Sequence, residues 1–243
     1  MHFQTDRRLV VIGDIHSMLS PLITHVHAAE LETDDRPFFV FLGDLTDSDL
    51  RYQHPLGVLR FVMNLVRSGN AVHVLGNHDA KLLRALRSYR DHGSWNGQPK
   101  HGLDKTLEIL LNQSDDVRND IIDYLSGVPT HATTFREDKL HVFVHGALPV
   151  DGEDMLALVD VDSFHPKSSQ FSTCIFGRVA GFDNGRPIRS YDWANTIPDN
   201  VHVHVGHDYN WMTNGMRFPN LHWHDYGVGK IRGAQFPNDP FII

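Results

Sequence analysis

The chain has 243 residues, 41% hydrophobic and 21% charged, enough apolar content for one domain spanning residues 1–243 whose core needs no disulfide or metal staple. Its 30 Asp and Glu outnumber its 22 Lys and Arg, and the formal charge of −8 argues against general affinity for a nucleic-acid backbone or an anionic membrane. Cys174 is the single cysteine, which excludes an intrachain disulfide and a thiolate metal cage; with no apolar run near the roughly 20 residues of a membrane span and no signal-like N-terminal segment, the expected setting is the cytoplasm.

Residues 9–12 form a short apolar, β-branched run that ends at Gly13, and the pattern recurs at 37–42 before Gly43 and at 71–75 before Gly76. Between these strands, residues 19–31 and 55–66 place apolar side chains at helical spacing. The first half therefore reads β-α-β-α-β, a parallel sheet with right-handed crossovers. Helices are expected over 79–89, 103–111 and 115–125, with Pro129 closing the helical section. The second half turns to strands, expected at 131–135, 140–144, 172–176, 201–205, 221–224 and 231–235, while 91–100 and 162–169 read as surface loops.

In a parallel α/β sheet the carboxyl ends of the strands open onto one crevice, so short polar tails far apart in sequence can meet there. The first three strands end in Gly13-Asp14-Ile15-His16, Gly43-Asp44-Leu45-Thr46-Asp47 and Gly76-Asn77-His78-Asp79, and two later ones in His145-Gly146 and Gly206-His207. One such tail is usually a turn or a helix cap. Five in this order, each after an apolar strand, point instead to oxygen and imidazole ligands for borderline divalent metals. A carboxylate can bridge two ions about 3.5–4 Å apart, which then activate a shared water and clamp the oxygens of an in-line phosphoryl displacement. Asp44, in the middle tail, is the natural bridge.

The ordered set GDIH, GDLTD, GNHD, HG and GH resembles the calcineurin-like metallophosphoesterase superfamily, and within it the phosphoprotein phosphatase type, whose pattern reads GDxHG, GDxVDRG, GNHE, HGG and a late His. Residues 101–110, 119–130, 142–149 and 188–194 resemble its bacterial branch, which includes symmetrical bis(5′-nucleosyl)-tetraphosphatases and the phosphatase domain of polynucleotide kinase-phosphatase. The resemblance implies an α/β fold with a βαβαβ start, central sandwich-like mixed sheets flanked by helices, and a metal site at the carboxyl ends of the strands. It assigns Asp14, His16 and Asp44 to one metal, and Asp44, Asn77, His145 and His207 to a second. Mn²⁺ is the expected pair, although Fe, Zn or Ni suit the same ligands. It further implies hydrolysis by a metal-bridging hydroxide, with His78 protonating the leaving group and Asp47 as its acidic partner. Asp225, in the late segment 224–229, is a candidate to orient a ligand.

The sequence departs from the pattern at Ser48, where the family carries an Arg that grips a phosphate oxygen. Serine carries no charge and cannot reproduce the guanidinium fork. Arg51 or Arg178 are candidate replacements. Ser17 and Ala147 stand for glycines, and Asp79 for Glu. The expected substrate is a phosphorylated small molecule, a nucleotide or a phosphoprotein. The missing Arg keeps two alternatives open, a phosphodiesterase of the same fold and a metal-binding scaffold of weakened activity. His202 and His204 share one strand face, as do His222 and His224; such pairs read first as hydrogen-bonded strand residues and only then as a metal site.

Overall fold

The computed structural model describes residues 1–32, 36–48, 53–208 and 218–225. Strands β1 (Leu9–Ile12), β2 (Phe38–Phe41) and β3 (Ala71–His73) lie parallel in the order β1-β2-β3, with Leu9 opposite Phe38 and Phe39 opposite Ala71. Helices α1 (Leu19–Leu31) and α2 (Pro55–Arg67) connect them. Every residue of the three strands is buried, because the sheet is covered on both faces. Val10, Ile12, Phe39 and Phe41 pack against apolar side chains of these helices such as Leu22 and Leu59. Leu9, Val11, Phe38 and Val40 face the other way, onto Phe3, Ala132 and Phe143.

Three helices follow: α3 (Asn77–His92), α4 (Leu103–Leu111) and α5 (Asp115–Gly127). The second sheet then has the order β4-β5-β8-β9, from β4 (His131–Arg136), β5 (Lys139–Val144), β8 (Val201–Val205) and β9 (Leu221–Trp223). Its first pair is antiparallel and the other two are parallel. Val142, Val144, Val203 and Val205 turn from the first sheet towards Met155 and Leu158 of a 3₁₀ helix (Gly152–Asp160) and towards Cys174 and Ile175 of α6 (Ser169–Phe176). The result is an α/β sandwich of two sheets with helices outside both, as the sequence implied.

Three segments differ from expectation or lie beyond it. Residues 172–176 are helical, within α6, and not a strand: Ser168 caps the helix by accepting from Phe171 N at 3.1 Å, and Gly177 stops it at φ +74°. An apolar run of five residues is too short for its period to separate helix from strand. The strand expected at 231–235 lies outside the described residues. A hairpin of β6 (Arg178–Asp183) and β7 (Arg186–Ser190) escaped the hydrophobic pattern because most of its residues face solvent. Its signal was Asn184-Gly185, both at positive φ (+47° and +78°), the turn that two-residue hairpins require.

The strand histidines form two hydrogen-bonded sets, one from β5 through β8 to the residue after β9 and one between β8 and β9. His204 bonds to His141 and to His224, each at 3.1 Å, and His202 bonds to His222 at 2.8 Å. Burial, and then the neighbouring imidazoles, push His141 down to about 3 and His222 to about 4, so the sets are neutral. Among the described residues no three of them converge as a metal site. No described helix is long and apolar enough to cross a membrane.

Candidate metal centre

The five tails meet at the carboxyl ends of β1, β2, β3, β5 and β8. Their backbone is strained: His16, Ser17, Asp44, Asp47 and His207 have φ of +48°, +64°, +50°, +65° and +71°, a region that non-glycine residues rarely occupy and that concentrates at functional sites. Asp79, buried on the first turn of α3, organises two of the tails. Its carboxylate accepts from the backbone N–H of Asp44 (2.9 Å), Leu45 (3.0 Å) and Gly76 (3.0 Å) and lies 3.3 Å from His73 Nε2. This bonding also starts α3 two residues before the apolar period begins.

Two groups of donor atoms converge within 4.8 Å, His16–Asp44–His78 and Asp44–His145–His207, and Asp44 belongs to both. His145 Nε2 lies 3.4 Å from Asp44 Oδ2, 3.0 Å from Asn77 Oδ1 and 3.2 Å from His207 Nδ1. His145 Nδ1 donates to Leu42 O at 2.7 Å, which leaves Nε2 as the ring nitrogen turned to Asp44 and Asn77. His16 is held in the same way: Nδ1 donates to Asp47 O at 2.9 Å, and Nε2 faces Asp14 Oδ2 at 3.6 Å. Glycines make room for the carboxylates. A Cβ on Gly76 would sit 2.2 Å from Asp44 Oδ1, and one on Gly206 would sit 2.4 Å from Asp14 Oδ1. Oxygen and imidazole donors with lone pairs turned inward fit a pair of divalent cations.

His78 falls in the first group, but its Nδ1 bonds to Asp47 Oδ2 at 3.0 Å, and its Nε2 stands 3.9 Å from Asp44 Oδ2. Burial opposes its charge, yet the carboxylates of Asp44 and Asp47 outweigh burial and raise its pKa. A carboxylate-bound imidazolium suits a proton donor better than a metal ligand. Burial likewise opposes an anionic Asp44, but His145 and His78 hold its carboxyl well below the usual carboxylate range.

The same balance governs metal binding. Despite burial, the surrounding carboxylates push His16 and His145 up to about 10 in the metal-free protein. Both shifts are upward from 6.5, so the stability they contribute is complete below that pH and is lost as pH rises through the folded values. A metal must displace these protons. Titration with Mn²⁺ at pH 7 therefore releases protons, about two per protein if both imidazoles bind metal, and apparent affinity rises with pH. Calorimetry in buffers of different ionisation enthalpy measures this directly; metal binding without proton release would remove His16 and His145 from the ligand set.

The other candidates fall as follows. Arg51 lies outside the described residues. Arg178 donates Nε and Nη2 to Leu148 O (3.0 and 2.8 Å) and Nη2 to Val150 O (2.9 Å), and pairs with Asp151, so its hydrogen bonds hold the segment after His145. Ser48 is buried. Asp225 is buried two residues after β9, next to His224, whose carbonyl packs on Gly13. The residue that site reasoning passed over is Arg189, on β7, whose Nη2 lies 2.8 Å from His207 Nε2. Its signal was the segment 188–194, noticed for its resemblance but not for chemistry.

Fold and donor set together are those expected of a metal-dependent hydrolase, with the hydrogen-bonded His78 and Asp47 beside the convergent donor groups. The chain belongs to the calcineurin-like phosphoesterase family, whose model matches residues 7–228, and it is a metal-dependent phosphoesterase. It is 30% identical over 209 residues to the asymmetrical bis(5′-nucleosyl)-tetraphosphatase PrpE of Halalkalibacterium halodurans, covering 81% of this chain and 76% of that protein. It is 32% identical to a symmetrical bis(5′-nucleosyl)-tetraphosphatase of Marinomonas sp., over 57% of this chain and 44% of the relative. A solved putative diadenosine tetraphosphatase shares the fold at a TM-score of 0.57 and 21% identity, with 93% and 86% of the two chains covered.

Proposed function

We propose that the protein hydrolyses a phosphoanhydride bond of a dinucleoside polyphosphate with two divalent ions, Mn²⁺ in the first instance. Asp14, His16 and Asp44 hold one ion, and Asp44, Asn77, His145 and His207 hold the other. The observation that carries this reading is the sharing of Asp44 by both convergent donor groups, with His78 Nε2 beside it. When bound, the ions polarise phosphoryl oxygens and make a water acidic enough to attack at neutral pH. The chain's own groups do the rest. Asp47 fixes the His78 ring through Nδ1, and Nε2 carries the proton for the leaving oxygen.

Arg189 supplies a guanidinium next to His207. If His207 binds a metal through Nδ1, its Nε2 keeps the ring proton and faces the Arg189 donor. Two donors repel, so the guanidinium turns to another acceptor, and a substrate phosphate oxygen serves.

The choice of a dinucleoside polyphosphate draws on the relatives' names, and the asymmetrical type covers most of this chain. The test is chromatography of products from a dinucleoside tetraphosphate with Mn²⁺. A nucleoside triphosphate and a nucleoside monophosphate are expected. Turnover of aryl mono- or diesters with no cleavage of any dinucleoside polyphosphate would refute the substrate assignment and leave the phosphoesterase class standing.

A further inference from the structure

Ser48 stands where the family pattern carries its phosphate-gripping Arg, and a different part of the chain closes over that position. Ser48 is 2% exposed, and Gly102, at φ +84°, packs so closely on it that a Cβ there would lie 2.4 Å from Ser48 N. The residue before this glycine is His101, itself at φ +61°, whose ring centroid is 6.3 Å from that of His78 at 75° between planes. The turn is tied from the other side by Lys81, whose Nζ donates to Lys100 O at 2.9 Å. Lys81 follows His78 by three residues on α3, so the two share a helix face. Burial lowers the Lys81 ammonium; Asp47, the partner of His78, and Asp104 oppose that shift, and Arg84 and Lys100 add to it. In a chain of net charge −8, Lys81 is thus a cation within reach of the candidate acid, set among both carboxylates and cations.

The direction of the reaction decides what these groups meet. As the water oxygen bonds to phosphorus, the opposite P–O bond breaks, the electron pair leaves with that oxygen, and the His78 proton neutralises it; the proton lost by the water restores the balance. A leaving oxygen protonated from His78 Nε2 lies beside that residue, and Lys81 stands one turn further along the same helix face. An aryl leaving group brings no charge there, whereas each further phosphate of a polyphosphate does.

We infer that Lys81 and His101 grip the polyphosphate arm of the leaving group, so that the site selects nucleoside polyphosphates over simple phosphomonoesters without the family Arg. This rests on the phosphoanhydride reading above and on His78 as the acid.

The test compares metal-loaded wild type with Lys81→Met, Lys81→Arg and His101→Asn. Each is measured for kcat and KM on a dinucleoside tetraphosphate and on p-nitrophenyl phosphate, and titrated calorimetrically with a methylene-bridged dinucleoside tetraphosphate. Loss of one charged hydrogen bond corresponds to about a tenfold effect. Lys81→Met is expected to lower the preference for the tetraphosphate by about that factor, mainly through KM, to weaken the methylene analogue in parallel, and to flatten the dependence of KM on salt. Lys81→Arg is expected to recover most of the loss, and His101→Asn to reproduce a smaller part of it. Preference and analogue affinity unchanged within about twofold, with the wild type cleaving the tetraphosphate, would overturn this inference alone. So would an equal fall on both substrates, which is what loss of a structural tether to Lys100 produces. A wild type that cleaves only p-nitrophenyl phosphate would overturn the phosphoanhydride reading and this inference with it.

Discussion

Replacement of Asp44 by asparagine lowers kcat by about a thousandfold or more, roughly 4 kcal/mol of transition-state stabilisation, and depletes bound metal at both positions. Asparagine is the informative substitution because it keeps the shape of the site. Its Oδ1 still accepts from His78 N, a bond of 2.8 Å in the wild type, and it tolerates the φ of +50° that this position requires. Only the charge is lost, and with it the single carboxylate common to both donor groups. The metal-free variant also loses the anion that sustains the raised pKa of His145, for which Asp44 is the leading favourable neighbour. Elemental analysis together with a p-nitrophenyl phosphate assay checks both halves. Full metal content with near-normal kcat would remove Asp44 from the bridging position.

Replacement of His78 by asparagine leaves metal content intact and lowers kcat on a dinucleoside tetraphosphate by about a hundredfold or more, the usual contribution of a positioned general acid. On p-nitrophenyl phosphate the loss is smaller, because that leaving group departs without a proton. The pH profile separates this role from a structural one. The wild-type acid must be protonated, so kcat falls as pH rises through the pKa that His78 has in the metal-loaded enzyme, and the variant lacks that limb. Equal losses on both substrates, or an unchanged alkaline limb, would be incompatible with proton donation by this residue. Asp47 Oδ2 holds His78 Nδ1, while its other oxygen finds no hydrogen bond among the described residues.

Much of this was legible in one dimension. The three glycine-ended apolar runs are strands buried on both faces, and such strands have a signature that survives without any neighbours: continuous apolar residues cut off by a sharp polar tail. The polar tails were equally visible, because a ligand-bearing turn is a local event of four or five residues. Where period was the only clue and the run was short, as at 172–176, the reading failed. The β6–β7 hairpin was missed because its exposed faces erase the apolar alternation, although Asn184-Gly185 marked its turn.

What the amino-acid sequence determined by itself was thus the β-α-β-α-β order of the first half, the family and the inventory of candidate ligands, since each is encoded in residue type and spacing over short stretches. The tertiary structure decided which atom of each residue faces the crevice. His16 and His145 are oriented by backbone carbonyls 31 and 103 residues away, and Arg189 reaches His207 from a separate hairpin. It also decided that the turn at 101–102 closes over Ser48 while Lys81 ties its far end. These are consequences of how two sheets and a helix pack, and no local pattern carries them: a hydrogen bond between distant residues depends on positions that exist only once the whole core has formed.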